Sequence, residues 1–136
     1  MTQKIGYSES LQKELELLNE SLRIRLRLFG EMHPDVANSY ANLGSCYMSL
    51  DNYEYAEKSY LKSLAIRKKV LGAYHPRLAL AHQHLSRFYL RYYKEALAEH
   101  HVKLANVINV KAFGEKHPAV ARSYYDVGEF YGRIGM

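Results

Sequence analysis

Large and small apolar residues recur along this chain three and four positions apart, the spacing of helices that bury one stripe. Tyr40, Leu43, Gly44 and Tyr47 form one such set, continued by Ala56 and Tyr60. Tyr124, Val127, Gly128 and Tyr131 repeat it, and His82, Leu85, Ser86 and Tyr89 give a weaker version. In each set the small residue lets a paired helix come close while the large residues interlock around it. One segment has the opposite pattern: Leu22-Arg23-Ile24-Arg25-Leu26-Arg27-Leu28 alternates like a strand. Register decides for helix, because Ser21-Leu22-x-Ile24-Arg25 aligns with Ser63-Leu64-x-Ile66-Arg67. Glu20 and Arg23 also sit three apart, as a helix-surface pair does.

The helices are punctuated by a repeated string. Phe29-Gly30-Glu31-Met32-His33-Pro34 returns as Leu71-Gly72-Ala73-Tyr74-His75-Pro76 and as Phe113-Gly114-Glu115-Lys116-His117-Pro118, at a period of 42. Each string supplies a glycine that can end a helix with positive φ and a proline suited to start the next one, where its missing N–H costs nothing. Six helices are predicted, over about 8–29, 35–50, 53–71, 77–91, 94–113 and 119–134. Residues 1–136 read as a single domain, in which 8–29 is the second helix of an incomplete repeat, 35–71 repeat one, 77–113 repeat two and 119–134 the first helix of an incomplete repeat. Tyr93-Lys94-Glu95-Ala96 matches Tyr53-Glu54-Tyr55-Ala56 at a spacing of 40, which predicts a shortened turn inside repeat two.

Three helix patterns in register with three Gly-x-x-His-Pro turns resemble the tetratricopeptide repeat (TPR), and a 42-residue period resembles the kinesin light chain type of that family. The resemblance covers residues 8–136 and implies an all-α fold, an α-solenoid of antiparallel helix pairs wound as a right-handed superhelix. It implies a scaffold or adaptor whose concave groove binds a peptide segment of another protein, without catalysis or cofactor. Carried onto this sequence, the groove positions are Asn38, Asn42 and Ser45, then Gln83, His84, Arg87 and Arg91, then Arg122, Tyr125, Asp126, Glu129 and Arg133. Asn42 matches the asparagine that this repeat type sets against a peptide backbone, a task suited to an amide that donates and accepts at once. His84 and Asp126 stand at the matching positions and depart from that pattern. Arg87, Arg91 and Arg122 point to an acidic peptide held by charge-assisted contacts.

Composition bounds the remaining possibilities. The chain has 136 residues, of which 48% are hydrophobic and 24% charged, the profile of one compact soluble domain. Cys46 is the only cysteine, so an internal disulfide and a cysteine zinc site are both ruled out. The N-terminal stretch lacks the apolar core of a secretory signal, no run of 18 apolar residues occurs, and the expected setting is the cytoplasm, away from membranes. Net charge is +5, and together with tyrosines and arginines on first helices it raises an alternative, a helical repeat that binds RNA or DNA. Asp126 and Glu129 would repel phosphates and speak against it.

Candidate chemistry is sparse. His33, His75 and His117 belong to the turns and read as structural devices. His82, His84, His100 and His101 cluster in repeat two, within reach of one another across the helix pair, but His82 and His84 lie two apart and His100 and His101 are neighbours, so neither pair shares a helix face as metal ligands four apart would, and no metal is expected. No phosphate-cradling glycine loop, nucleophile elbow or zinc-protease helix is present, and Cys46 falls on a packing face, so no catalytic residue is assigned. Tyr40, Tyr47, Tyr60, Tyr89, Tyr124 and Tyr131 are assigned to packing, and Tyr92, Tyr93 and Tyr125 to the surface. The first helix carries Leu15, Leu17 and Leu26 where later copies have Glu57 and Glu99, Ser59 and Lys68. That patch predicts self-association as a homo-oligomer, or cover by a partner helix, by residues 1–7 folding back or by a preceding helix.

Overall fold

The computed structural model describes residues 6–135. They form six helices, α1 (Tyr7–Phe29), α2 (Pro34–Ser49), α3 (Tyr53–Leu71), α4 (Pro76–Arg91), α5 (Glu95–Phe113) and α6 (Pro118–Ile134), with no strand among the described residues. The expectation that residues 1–7 cover the first helix falls mostly outside them, and Tyr7, which is described, is exposed.

The long turns explain the 42-residue punctuation. Gly30, Gly72 and Gly114 take φ of 76°, 90° and 77°, where a side chain would be strained. Their N–H groups close the preceding helices on Leu26, Lys68 and Val110 carbonyls. His33, His75 and His117 are the caps of the helices that follow: each imidazole Nδ1 accepts from the backbone N–H two residues on, at 3.1, 3.1 and 3.0 Å. Prolines 34, 76 and 118 occupy the first helical position. Phe29 stacks on His33 with ring centroids 4.2 Å apart, and Phe113 on His117 at 3.9 Å.

The turns within repeats correct one expectation. Both have three residues, 50–52 and 92–94, and in each the middle residue, Asp51 or Tyr93, takes φ near +60° (57° and 62°). The turn of repeat two is therefore not shortened, and the match at a spacing of 40 is fortuitous. Ala98, fully buried like Ala56, is the true equivalent 42 residues on, whereas Ala96 is exposed.

The chain divides into two compact units, meeting within α3 after Ile66. In the first, Val36, Ala37 and Ile66 form a core against which Leu22, Leu26 and Tyr40 pack. Arg25 of α1 donates to the Asp35 carbonyl and to Ser39 Oγ near the start of α2, while Leu11 accepts from the Cys46 thiol near its end. Contacts that move down one helix as they move up the other make the pair antiparallel. Burial raises the pKa of the Cys46 thiol, and the Glu14 charge raises it further. In the second unit the fully buried Leu85 and Phe88 of α4 and the buried Ala98, Val102, Ala105 and Ile108 of α5 supply the apolar mass. Ser86 Oγ donates to the Ala98 carbonyl at 2.9 Å and His82 meets His101, so α4 and α5 are antiparallel too. α6 packs on α5 through the Asn106–Ser123 hydrogen bond near its start and Tyr131–Glu99 near its end.

Candidate functional site

The second unit holds a cavity of about 170 Å³. Gln83, Ser86, Arg87 and Leu90 line it from α4, Val102 from α5, and Arg122, Asp126, Glu129, Phe130 and Arg133 from α6. These positions recur every three or four residues along α4 and α6, so one face of each helix looks into the same space. Phe130 and Val102 are buried and Leu90 half-buried, giving an apolar lining beneath a charged rim. The volume is smaller than the roughly 300–1,000 Å³ of small-molecule and cofactor sites and matches one or two side chains.

Most of the charge is already paired. Arg122 Nε lies 3.2 Å from Asp126 Oδ1, and Gln83 Nε2 donates to Asp126 Oδ2 at 3.3 Å. Arg133 lies 3.6 Å from Glu129. Among the described residues Arg87 has no carboxylate within ion-pair distance, which makes it the cavity's uncompensated cation.

Of the groove positions expected from the sequence, Gln83, Arg87, Arg122, Asp126, Glu129 and Arg133 meet here. Arg91 and Tyr125 are exposed and do not line the cavity. His84 is half-buried beside it, and burial, then the Arg67 and Arg87 charges, lower its pKa to about 4. Asn38, Asn42 and Ser45 belong to the first unit, with Asn42 and Ser45 exposed. Ser86, Leu90, Val102 and Phe130 are lining that the sequence does not announce; Ser86 reads there only as the small packing residue of α4, and Val102 enters from the second helix of the pair.

Three other expectations change. Leu26 is a core contact and not part of an outward patch, because it packs on the Val36, Ala37 and Ile66 cluster; Leu15 is half-buried and Leu17 exposed. Tyr124 and Tyr131 are exposed instead of buried, Tyr131 with its hydroxyl on Glu99 of α5. Tyr92 is half-buried, with its ring edge-on to Phe88 at 5.1 Å. The histidines of repeat two also pair in a way that spacing along one helix does not reveal: His82 and His101, both buried, place their Nδ1 atoms 2.8 Å apart. No group of three or more His, Cys, Asp or Glu side chains among the described residues is arranged to hold a metal ion.

Antiparallel helices, repeated every 42 residues and capped by identical turns, define a helical repeat protein with a TPR-like α-solenoid fold. The family model for the tetratricopeptide repeat matches residues 35–105, and the chain belongs to that family. A Podosopora anserina protein described as a kinesin light chain with nearly identical TPR-like repeats superposes with a TM-score of 0.77 at 22% identity, over 95% of this chain and 62% of that one. A variant form of the same protein gives 0.77 at 23% identity over the same shares. BtubC (BKLC) from P. vanneervenii gives 0.81 at 22% identity, over 93% of this chain and 50% of that one. This chain thus spans less than two thirds of the length of each. No curated protein matches it. TPR folds of this type generally serve as protein–protein interaction scaffolds and are typically not enzymes. No helix among the described residues is long and apolar enough to cross a membrane.

Proposed function

We propose that the chain is a scaffold or adaptor that holds a peptide segment of another protein across α4 and α6, with an acidic side chain of that peptide on Arg87. The observation that carries this reading is the cavity: it has side-chain dimensions, an apolar floor, and one guanidinium left without a carboxylate while its neighbours are paired. A carboxylate on Arg87 would gain a charge-assisted contact in a partly desolvated pocket without breaking an existing pair. A nucleic-acid backbone fits less well, because Asp126 and Glu129 sit on the same rim. The cytoplasm is the setting we infer, from composition alone. Self-association through the first helix belongs to a separate surface.

The test is a fluorescence-anisotropy screen of acidic peptides, each with its glutamates also replaced by glutamine. Arg87→Ala should weaken the best binder at least about tenfold, while Arg91→Ala, outside the cavity, leaves it unchanged. Raising salt should weaken binding of the acidic form only. Equal binding of the acidic and amide peptides, or equal loss from both substitutions, overturns the assignment of Arg87.

A further inference from the structure

One surface of this fold occurs three times and is covered twice. In the first unit Gly44 of α2 takes the Tyr60 ring of α3 so closely that a Cβ on Gly44 would stand 2.9 Å from it. In the second, the equivalent Ser86 of α4 bonds to Ala98 of α5, and its flanking residues His82 and Tyr89 are buried with their rings on His101. On α6 the same positions are Tyr124, Gly128 and Tyr131. Tyr124 is 56% exposed; Tyr131, whose hydroxyl is held by Glu99 of α5, still has 42% of its surface exposed, and the space a Cβ on Gly128 would enter is empty out to 4 Å.

The complementary surface is also open. α1 stands in register with α3 and α5, so Leu17 and Ile24 correspond to Ser59 and Ile66 and to His101 and Ile108, four buried residues. Yet Leu17 is 71% exposed and Ile24 45%, and Leu28, one turn further along the same stripe, is 69% exposed. α1 buries no residue fully, although it is the longest of the six helices.

We propose that the chain associates head to tail with second copies of itself, α6 of one copy lying on α1 of the next in the register that α4 keeps with α5. Tyr124 and Tyr131 then cover Leu17 and Ile24, and the unfilled space over Gly128 closes. Because the two surfaces differ, the contact is heterologous, and each added copy that continues the solenoid's own register leaves one α1 face and one α6 face open for the next, so assembly is an open string. Glu14 sets its strength. It occupies the position of the fully buried Ala56 and Ala98, opposite Gly128, and bringing its carboxylate into that seam carries a desolvation cost.

Sedimentation velocity from about 10 μM to about 1 mM tests this. The wild-type mass should rise continuously with concentration and without a fixed end point. Leu17→Glu and Tyr124→Glu, both at exposed positions and checked for unchanged helicity, should each remain monomeric. Their equimolar mixture should give a one-to-one dimer and nothing larger, because each variant keeps one intact end. Glu14→Ala should tighten association at least about tenfold. A wild type that is monomeric at the highest concentration, a Tyr124→Glu variant that still dimerises, or a variant mixture that stays monomeric overturns the proposal.

Discussion

Acid should loosen the second unit through His82 and His101. Their Nδ1 atoms are 2.8 Å apart in a buried space, so one nitrogen donates and the other accepts, and both rings are neutral overall. Tyr89 stacks on His101, and the nearby charges bearing on the pair are those of His100 and Lys68, with no carboxylate among them to stabilise an imidazolium. Burial, then His100 and Lys68, holds His82 down to about 4; burial, then His82 and His100, does the same to His101. The ordinary value is 6.5, so between 6.5 and 4 the unfolded chain binds more protons than the folded one. Stability is therefore full above 6.5, falls as pH drops through that window and levels off below about 4. One such histidine contributes a loss of about 2 kcal/mol between pH 7.5 and pH 5. The pair shares a hydrogen bond and the first charge opposes the second, so together they are expected to cost roughly 2–4 kcal/mol, a fall in Tm of roughly 10 °C. The control borrows the residues at these positions in repeat one, Tyr40 and Ser59, as the double variant His82→Tyr, His101→Ser. Urea unfolding followed by far-ultraviolet circular dichroism should show wild-type stability falling more steeply with acid than the variant's. Equal slopes would refute the reasoning, and His84, present in both proteins, cancels from the comparison.

Three further predictions concern the backbone and the close packing. His33→Ala should cost about 1 kcal/mol in thermal unfolding by removing the acceptor for the Asp35 N–H, and His33→Asn should recover most of it. Tyr93→Gly should stabilise the chain by about 1 kcal/mol, because a tyrosine at φ 62° with an exposed side chain gives up backbone strain for little packing. Gly44→Ser should destabilise by roughly 1–3 kcal/mol, because the new Cβ meets the Tyr60 ring. Adding Tyr60→Val should restore stability, since the register equivalents Ser86 and Val102 already coexist, and a strictly additive double variant would count against this account.

The helix boundaries were legible to within a residue or two, and at the three long turns the reason is that glycine and proline punctuate them by backbone chemistry alone. His33, His75 and His117 could be read as structural from their recurrence, but not as caps, since that depends on where each Nδ1 comes to rest. Along α4 and α6 the family resemblance set Gln83 and Arg87, and Arg122, Asp126, Glu129 and Arg133, on the groove face, together with His84, Arg91 and Tyr125, which do not line the cavity. Val102 and Phe130 were not legible in this way, because a cavity floor is created by neighbouring helices and has no period of its own. The clustering of His82, His84, His100 and His101 across the helix pair was legible, but rules for one helix do not say which two rings meet, and only the packed pair singles out His82 and His101. Tyr124 and Tyr131 mislead because a repeat pattern describes what a helix expects to touch, and not whether anything lies there.

The long turns have a consequence for how such a chain changes length. Each satisfies its polar groups from within: the glycine N–H closes the helix before it, and the imidazole closes the helix after it. Splicing from one turn to the next inserts or removes a stretch that carries its own start and stop signals. Growth or loss in steps of 42 residues therefore leaves each helix at a long turn finished by its own glycine and histidine.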